Sequence, residues 1–334
     1  MAQENIQLSD SLFDPVISQR PTRDGYGEGL VLLGHSNERV VVLSADLTES
    51  TRSHKFASAF PERFIQVGVA EQNMVTIAAG LAASGKIPFT ASYATFSPGR
   101  NWEQIRTTVA YSNSNVKIAG HHAGLSVGPD GATHQALEDI ATMRVIPNMR
   151  VIVPADAIEA RKATVAAGNT MGPVYLRFSR EKTPVFTTEK TPFLPGRAET
   201  IWQGKKPTVA IIGCGPILYT ALLAARELRK EKVEVIVINM HTIKPIDEKA
   251  IVAAAKKCGA IVTVEEHQVA GGLGSAVAEV LARKAPAPVE FIGMHDSFGE
   301  SGTPAELLTK HGMSTADIMA AVRRAHSRRA TIGR

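Results

Sequence analysis

Twice along the chain, short β-branched runs alternate with stretches of helical periodicity, and this double alternation limits what the chain can fold into. The first series predicts strands at 40–44, 64–67, 87–93, 116–120, 151–153 and 174–178, with amphipathic segments between them. Strand, helix and strand in succession require crossovers, and right-handed crossovers build a parallel sheet with helices on both faces. A second series predicts strands at 208–212, 233–238, 261–265 and 289–292, with helices at 217–230, 247–257 and 272–284. The expected fold class is α/β, with two parallel-sheet domains of which the second is smaller.

Between 179 and 206 the periodicity disappears, and Pro184, Pro192, Pro195, Gly196, Gly204 and Pro207 interrupt any regular element. A linker is expected there. The domain plan is an N-terminal extension at 1–19, a first domain at 20–183, the linker at 184–206, a second domain at 207–322 and a basic tail at 323–334. A length of 334 residues accommodates two domains at about 150 residues each.

The formal net charge of +5 raises the question of a nucleic-acid partner. Five arginines, Arg323, Arg324, Arg328, Arg329 and Arg334, sit in a tail without acidic residues and account for the whole excess. The rest is neutral and carries no basic stripe interleaved with aromatics, so no nucleic-acid partner is expected. The tail itself reads as a solvated, frayed end. Two cysteines, Cys214 and Cys258, without CxxC or Cys/His spacing argue against a disulfide scaffold and a structural zinc site, and fit a reducing compartment. No apolar run approaches the ~18 residues of a membrane span, and residues 1–10 lack the basic and apolar regions of a leader. A cytoplasmic protein with no membrane partner is expected.

No GxxxxGK[ST] occurs, which excludes a P-loop, and Gly213-Cys214-Gly215 lacks the third glycine of a dinucleotide fingerprint because Leu218 stands there. That run reads as a tight strand-to-helix turn. Three other clusters carry candidate chemistry. Glu71 opens a helix after an apolar strand, either as an acid matched to the helix dipole or as a carboxyl held where α/β sheets bind ligands. Tyr93 and Phe96 follow another strand, as core residues or as a stacking platform for a planar ring. Residues 121–135 hold His121, His122 and His134 among glycines, either as solvated loop histidines or as a loop suited to imidazole contacts with a substrate, with Thr133 the predicted N-cap of a helix starting near Gln135. No HExxH or carboxylate spacing accompanies these histidines, and no metal ligands are expected on this chain.

GVAEQNM at 68–74, ASYATFSPGR at 91–100, GPDGATHQALEDIATMRVIPNMRVIVPAD at 128–156 and DSFGESGTPAELL at 296–308 resemble the pyrimidine-binding and C-terminal domains of transketolase. The resemblance runs in order from about Arg20 to Arg324, and it implies a thiamine-diphosphate enzyme. In that family a carboxyl bonded to the cofactor's pyrimidine favours the imino tautomer that removes the thiazolium proton, and the resemblance gives this role to Glu71. It places Phe96 in stacking contact with the pyrimidine, Tyr93 beside it, and Asp46 and Leu47 along the cofactor. His134 and Asp130 match residues that contact the hydroxyl and carbonyl end of a ketose. Arg23, Ser50, His122 and Arg180 match those that hold a sugar phosphate, a task that suits the bidentate, permanently charged guanidinium.

There are departures. Gly99 stands where many transketolases have a third aromatic, and the glutamate motif reads AEQ, as in 1-deoxyxylulose-phosphate synthases, where full-length transketolases often have REH. The chain is about half the length of a one-chain family enzyme, and it lacks a GDG followed ~25 to 30 residues later by an Asn pair, the source of hard oxygen ligands for Mg²⁺. The resemblance therefore implies the C-terminal subunit of a split transketolase. Its expected activity is transfer of a two-carbon ketol unit from a ketose phosphate to an aldose phosphate, in the pentose phosphate route or with a specialised sugar. A separate N-terminal subunit would bring the diphosphate and Mg²⁺ half in an α2β2 heterotetramer. The alternatives are a 1-deoxyxylulose-phosphate synthase-like enzyme, a 2-oxo acid dehydrogenase E1 β-type subunit and a non-catalytic module.

Overall fold

The computed structural model describes residues 7–332. Residues 1–6 of the expected extension and Arg334 of the tail lie outside the described residues. The first sheet has seven strands in the spatial order Thr242–Lys244, Arg150–Ile152, Val174–Arg177, Lys117–His121, Ile87–Tyr93, Val40–Ser44 and Phe64–Gln66, all paired in parallel except the first. The second has five, in the order Val289–Met294, Ile261–Gln268, Val209–Gly213, Val235–Asn239 and Glu199–Gln203, with only the last antiparallel. Two largely parallel α/β sheets are what the alternation predicted.

Period-two geometry explains the central strands. In Val40–Ser44, Val41 and Leu43 enter one apolar cluster while Val40 and Val42 enter another on the opposite face. Both faces are covered, so the strand is apolar throughout. On one of those faces the helix Thr22–Ser36 crosses the helix Ala157–Gly168 closely: a Cβ at Gly25 would lie 1.9 Å from the Ala157 carbonyl oxygen. Asp156 caps Ala157–Gly168 by accepting from the Glu159 amide, and Asp247 caps Glu248–Cys258 by accepting from Ala250.

Four expectations need correction. Residues 199–203, placed in the linker, form an edge strand against Val235–Asn239, where the adjacent Ile201 and Trp202 both enter the second core. Residues 242–244 leave the second unit and pair antiparallel with Arg150–Ile152, completing the first sheet. Residues 183–184, at the expected domain end, pair with 19–20, which ties the extension to the start of the linker. The tail is not a free end among the described residues. It continues the helix Thr315–Ile332, with Arg323 paired to Glu231 and Arg324 and Arg328 both paired to Glu290.

Candidate functional site

The strand order of the first sheet reverses at Val40–Ser44, from which the chain passes to Phe64–Gln66 on one side and then to Ile87–Tyr93 on the other. Crevices outside the carboxyl ends of strands at such a reversal are where open α/β sheets bind ligands. All the candidates but Arg23, which lies in the first turn of Thr22–Ser36, stand at or after the carboxyl end of a strand in this sheet: Asp46, Leu47 and Ser50 after the first, Glu71 after the second, Phe96 after the third, His122 after Lys117–His121 and Arg180 after Val174–Arg177.

The rings form a stack. Tyr93 lies nearly parallel to His122 at 3.9 Å between centroids and to Phe96 at 5.7 Å, while His134 meets Phe96 edge-on at 5.6 Å. At one end, the Arg23 guanidinium donates to the Ser50 carbonyl at 2.8 Å and lies 2.9 Å from His122 Nε2. Because Arg23 only donates, Nε2 accepts and the ring is neutral with its proton on Nδ1. Arg180 donates to the Val127 carbonyl and lies 3.6 Å from Asp130. At the other end stands Glu71, the first residue of the helix Glu71–Ala83, its side chain 2% exposed. Its Oε2 accepts from Arg100 at 2.7 Å, while Oε1 accepts no hydrogen bond among the described residues. This buried carboxyl with one unclaimed oxygen beside an aromatic stack fits a planar, nitrogen-bearing ring such as a pyrimidine.

The structure therefore brings Glu71, Tyr93, Phe96, His122, His134, Arg23, Arg180 and Asp130 into one neighbourhood. Ser50 joins through its carbonyl rather than its hydroxyl. Asp46 and Leu47 make no hydrogen bond or ring contact with the others; their amides are held by Gln66 and Ser44. Thr133 does not cap a helix: it bonds His134 Nδ1 at 2.9 Å, and the helix starts only at Asp139. Among the described residues, no group of three or more His, Cys, Asp or Glu converges as a metal would require. The Gly213-Cys214-Gly215 turn carries a buried cysteine, and its Gly215 amide donates to the Val153 carbonyl across the two units.

Three supports escaped the sequence reading. Arg100 sits over Phe96 at 4.7 Å, an i, i+4 cation–ring pair that the spacing alone offered. The Gln135 amide donates to the carbonyls of Leu125, Gly128 and Glu300, so the second domain's 296–304 segment braces the histidine loop. Glu266 accepts from the Ser126 amide across the same junction, which no local pattern signals.

Burial also sets protonation. It holds His121 well below the ordinary imidazole range and His241 and His267 at about 4; His122 falls to about 3 through burial and then the Arg23 and Arg180 charges. His121 packs between Tyr26 and Phe178 and is part of the core rather than the site. The stability tied to neutral histidine is complete above 6.5 and lost as pH falls toward these lowered values. Glu159 and Glu265, pushed up to about 8 by burial, act oppositely: their contribution is complete below 4.5 and lost as pH rises through 8. Below pH 6.5 four histidines outweigh two carboxyls. The unfolding free energy is expected to drop by about 2–3 kcal/mol between roughly pH 6.5 and 5, measured as a falling urea midpoint at constant slope. A flat profile would mean that these rings carry charge in the fold.

Comparison with known proteins gives a consistent picture. Residues 18–185 match the family model for the transketolase pyrimidine-binding domain, and residues 196–318 match that for the transketolase C-terminal domain. A transketolase C-terminal section from Methanocaldococcus jannaschii is 45% identical over 89% of this chain and 93% of its own length. The subunit SqwH of 6-deoxy-6-sulfo-D-fructose transketolase from Clostridium sp. (strain MSTE9) is 40% identical over 94% of this chain and 96% of its own. Human transketolase is 38% identical over 90% of this chain, which spans only 48% of the human protein. A solved structure described as a split gene transketolase, inactive beta4 tetramer, is 47% identical with a TM-score of 0.87, covering 92% of this chain and 99% of that one.

Proposed function

The chain belongs to the transketolase family of thiamine-diphosphate-dependent transferases, and we propose that it is the C-terminal subunit of a split transketolase. In this reading it supplies the pyrimidine half of each active site, and a separate N-terminal subunit supplies the diphosphate and Mg²⁺ half in an α2β2 assembly. The observation that carries the reading is the buried Glu71 carboxyl with its unclaimed Oε1 at the end of the Phe96–Tyr93–His122 stack. When bound, thiamine diphosphate would supply an acidic thiazolium C–H, the source of the nucleophilic carbon that ketol transfer needs.

Each role falls to a residue of this chain. Glu71 would hold the proton at a pyrimidine nitrogen, Phe96 and Tyr93 would hold the ring plane, and Asp46 and Leu47 would border it. His134 would exchange protons with the sugar hydroxyl or carbonyl oxygen, with Asp130 bonding a neighbouring hydroxyl. Arg23 and Arg180, with neutral His122, would hold an anionic terminal group, Ser50 serving through its carbonyl, which fixes the Arg23 guanidinium. Two guanidiniums can donate to the oxygens of a phosphate or a sulfonate alike, and the sulfo-sugar name of one relative makes the second a direct comparison.

The test is co-purification of the chain with its N-terminal partner and assay of thiamine-diphosphate-dependent transfer from xylulose 5-phosphate to ribose 5-phosphate. Activity is expected in the complex and not in the isolated chain. A complex that consumed pyruvate as donor and left the ketose untouched would overturn the ketol-transfer reading in favour of the synthase-like one. Faster turnover of a 6-sulfo ketose than of the phosphate would reassign the donor.

A further inference from the structure

Arg100 is attached to the site at three levels. Its guanidinium donates to Glu71 Oε2 at 2.7 Å and at the same time covers the Phe96 ring at 4.7 Å. The next residue, Asn101, donates from its buried amide to the Glu71 carbonyl at 2.9 Å and to Ser97 Oγ at 3.1 Å. Between Phe96 and Arg100 the backbone turns so tightly that a Cβ on Gly99 would lie 2.0 Å from the Thr95 carbonyl oxygen. The segment 96–101 is thus fastened to residue 71 by its main chain and its side chain together, and a glycine makes the approach feasible.

As a device for stability this ion pair is weak, since the arginine side chain is 49% exposed and half-exposed pairs contribute little. What it fixes is direction. A glutamate carboxylate held at one oxygen by a charge-assisted bond presents its other oxygen along a single line. That other oxygen, Oε1, is the one that accepts no hydrogen bond among the described residues. The guanidinium can do this because it is planar: one nitrogen serves the carboxylate while its face stays on the phenyl ring, a combination a lysine ammonium cannot match.

Resting on the transketolase reading, we propose that Arg100 is a positioning residue, which orients Glu71 and Phe96 relative to each other so that Oε1 meets the pyrimidine nitrogen. It acts through Glu71 and leaves the sugar to the residues at the far end of the stack. The test uses the complex of the full chain with its N-terminal partner, carrying Arg100→Met or Arg100→Lys. Three quantities are read: the dissociation constant of thiamine diphosphate by calorimetry, the rate of deuterium exchange at its C2 position by acid quench and proton NMR, and kcat and KM for the sugars.

Arg100→Met is expected to slow C2 exchange and kcat together by roughly ten- to a hundredfold, the scale of a misdirected catalytic group. KM and the cofactor dissociation constant should stay within about threefold, and Arg100→Lys should recover part of the exchange rate. Wild-type exchange in Arg100→Met would overturn the assignment, as would a loss of cofactor affinity that accounts for the whole effect. A wild-type complex that bound no thiamine diphosphate or exchanged no C2 proton would overturn the functional reading and this inference with it; normal wild-type exchange with an unaltered variant would overturn the inference alone.

Discussion

Glu71→Gln is expected to lower kcat of the reconstituted complex by about a thousandfold, within the range removed with a positioned acid–base group. The substitution keeps the shape and volume of the side chain, and its amide oxygen can still accept from Arg100 as Oε2 does now. What it removes is the acidic oxygen at the unclaimed position, so the loss should appear in kcat and in C2 exchange rather than in folding. The melting temperature, the partner affinity and the KM for the sugars should match wild type. A variant retaining a tenth or more of the activity would remove Glu71 from the chemistry, and the site would then have to be read as a structural junction. The contrast with Arg100 is informative. Loss of the group proposed to bond the pyrimidine should cost more than loss of the group proposed to orient it, and an inverted order would exchange their roles.

The parts of this molecule legible in its sequence are those where one local pattern decides the outcome. The run VVVLS at 40–44 is apolar on both faces because both are covered, and it lies where periodicity put it. Glu71 is visible because a strand running into a helix exposes one residue at a sheet's carboxyl end. The failures share a cause as well. Residues 199–203 follow Pro195 and Gly196 and show no polar–apolar alternation, so local signals read as linker while pairing with Val235–Asn239 decides the matter. Residues 242–244 are too few to show any period, and their strand exists because the edge of a different sheet is open to them. Thr133 looked like a helix cap because its residue type favours caps, but the hydroxyl is engaged by His134 and the helix waits for Asp139. Contacts made across a hundred residues, such as Glu266 to Ser126, leave no mark on the neighbourhood of either partner.

Those long-range contacts meet at one buried ion pair, whose loss is the second large effect expected. Asp139 and Arg177 are nearly inaccessible and joined at 2.8 Å, and Asp139 Oδ2 also accepts from the Tyr175 hydroxyl at 2.6 Å. Burial works against the Asp139 charge, yet Arg177 and His267 hold its carboxyl below the usual range, aided by the bonds from Arg177 and Tyr175. Arg177 spends its remaining reach on two carbonyls, Ala136 at 3.1 Å beside the histidine loop and Glu266 at 2.9 Å in the second unit. Asp139→Ala would leave that buried guanidinium without its ion-pair partner. The expected loss is about 3–5 kcal/mol of unfolding free energy, measured by denaturant titration. Pairing it with Arg177→Met should recover more than half of the loss, because the double variant leaves no buried charge unpaired. Because Ala136 lies two residues from His134, the single variant should also raise the KM for the ketose in the complex, coupling the junction to the site. A stability loss below about 1 kcal/mol would mean that the pair behaves like a solvated surface bridge, and the histidine loop would then owe its position to Gln135 and Glu266 alone.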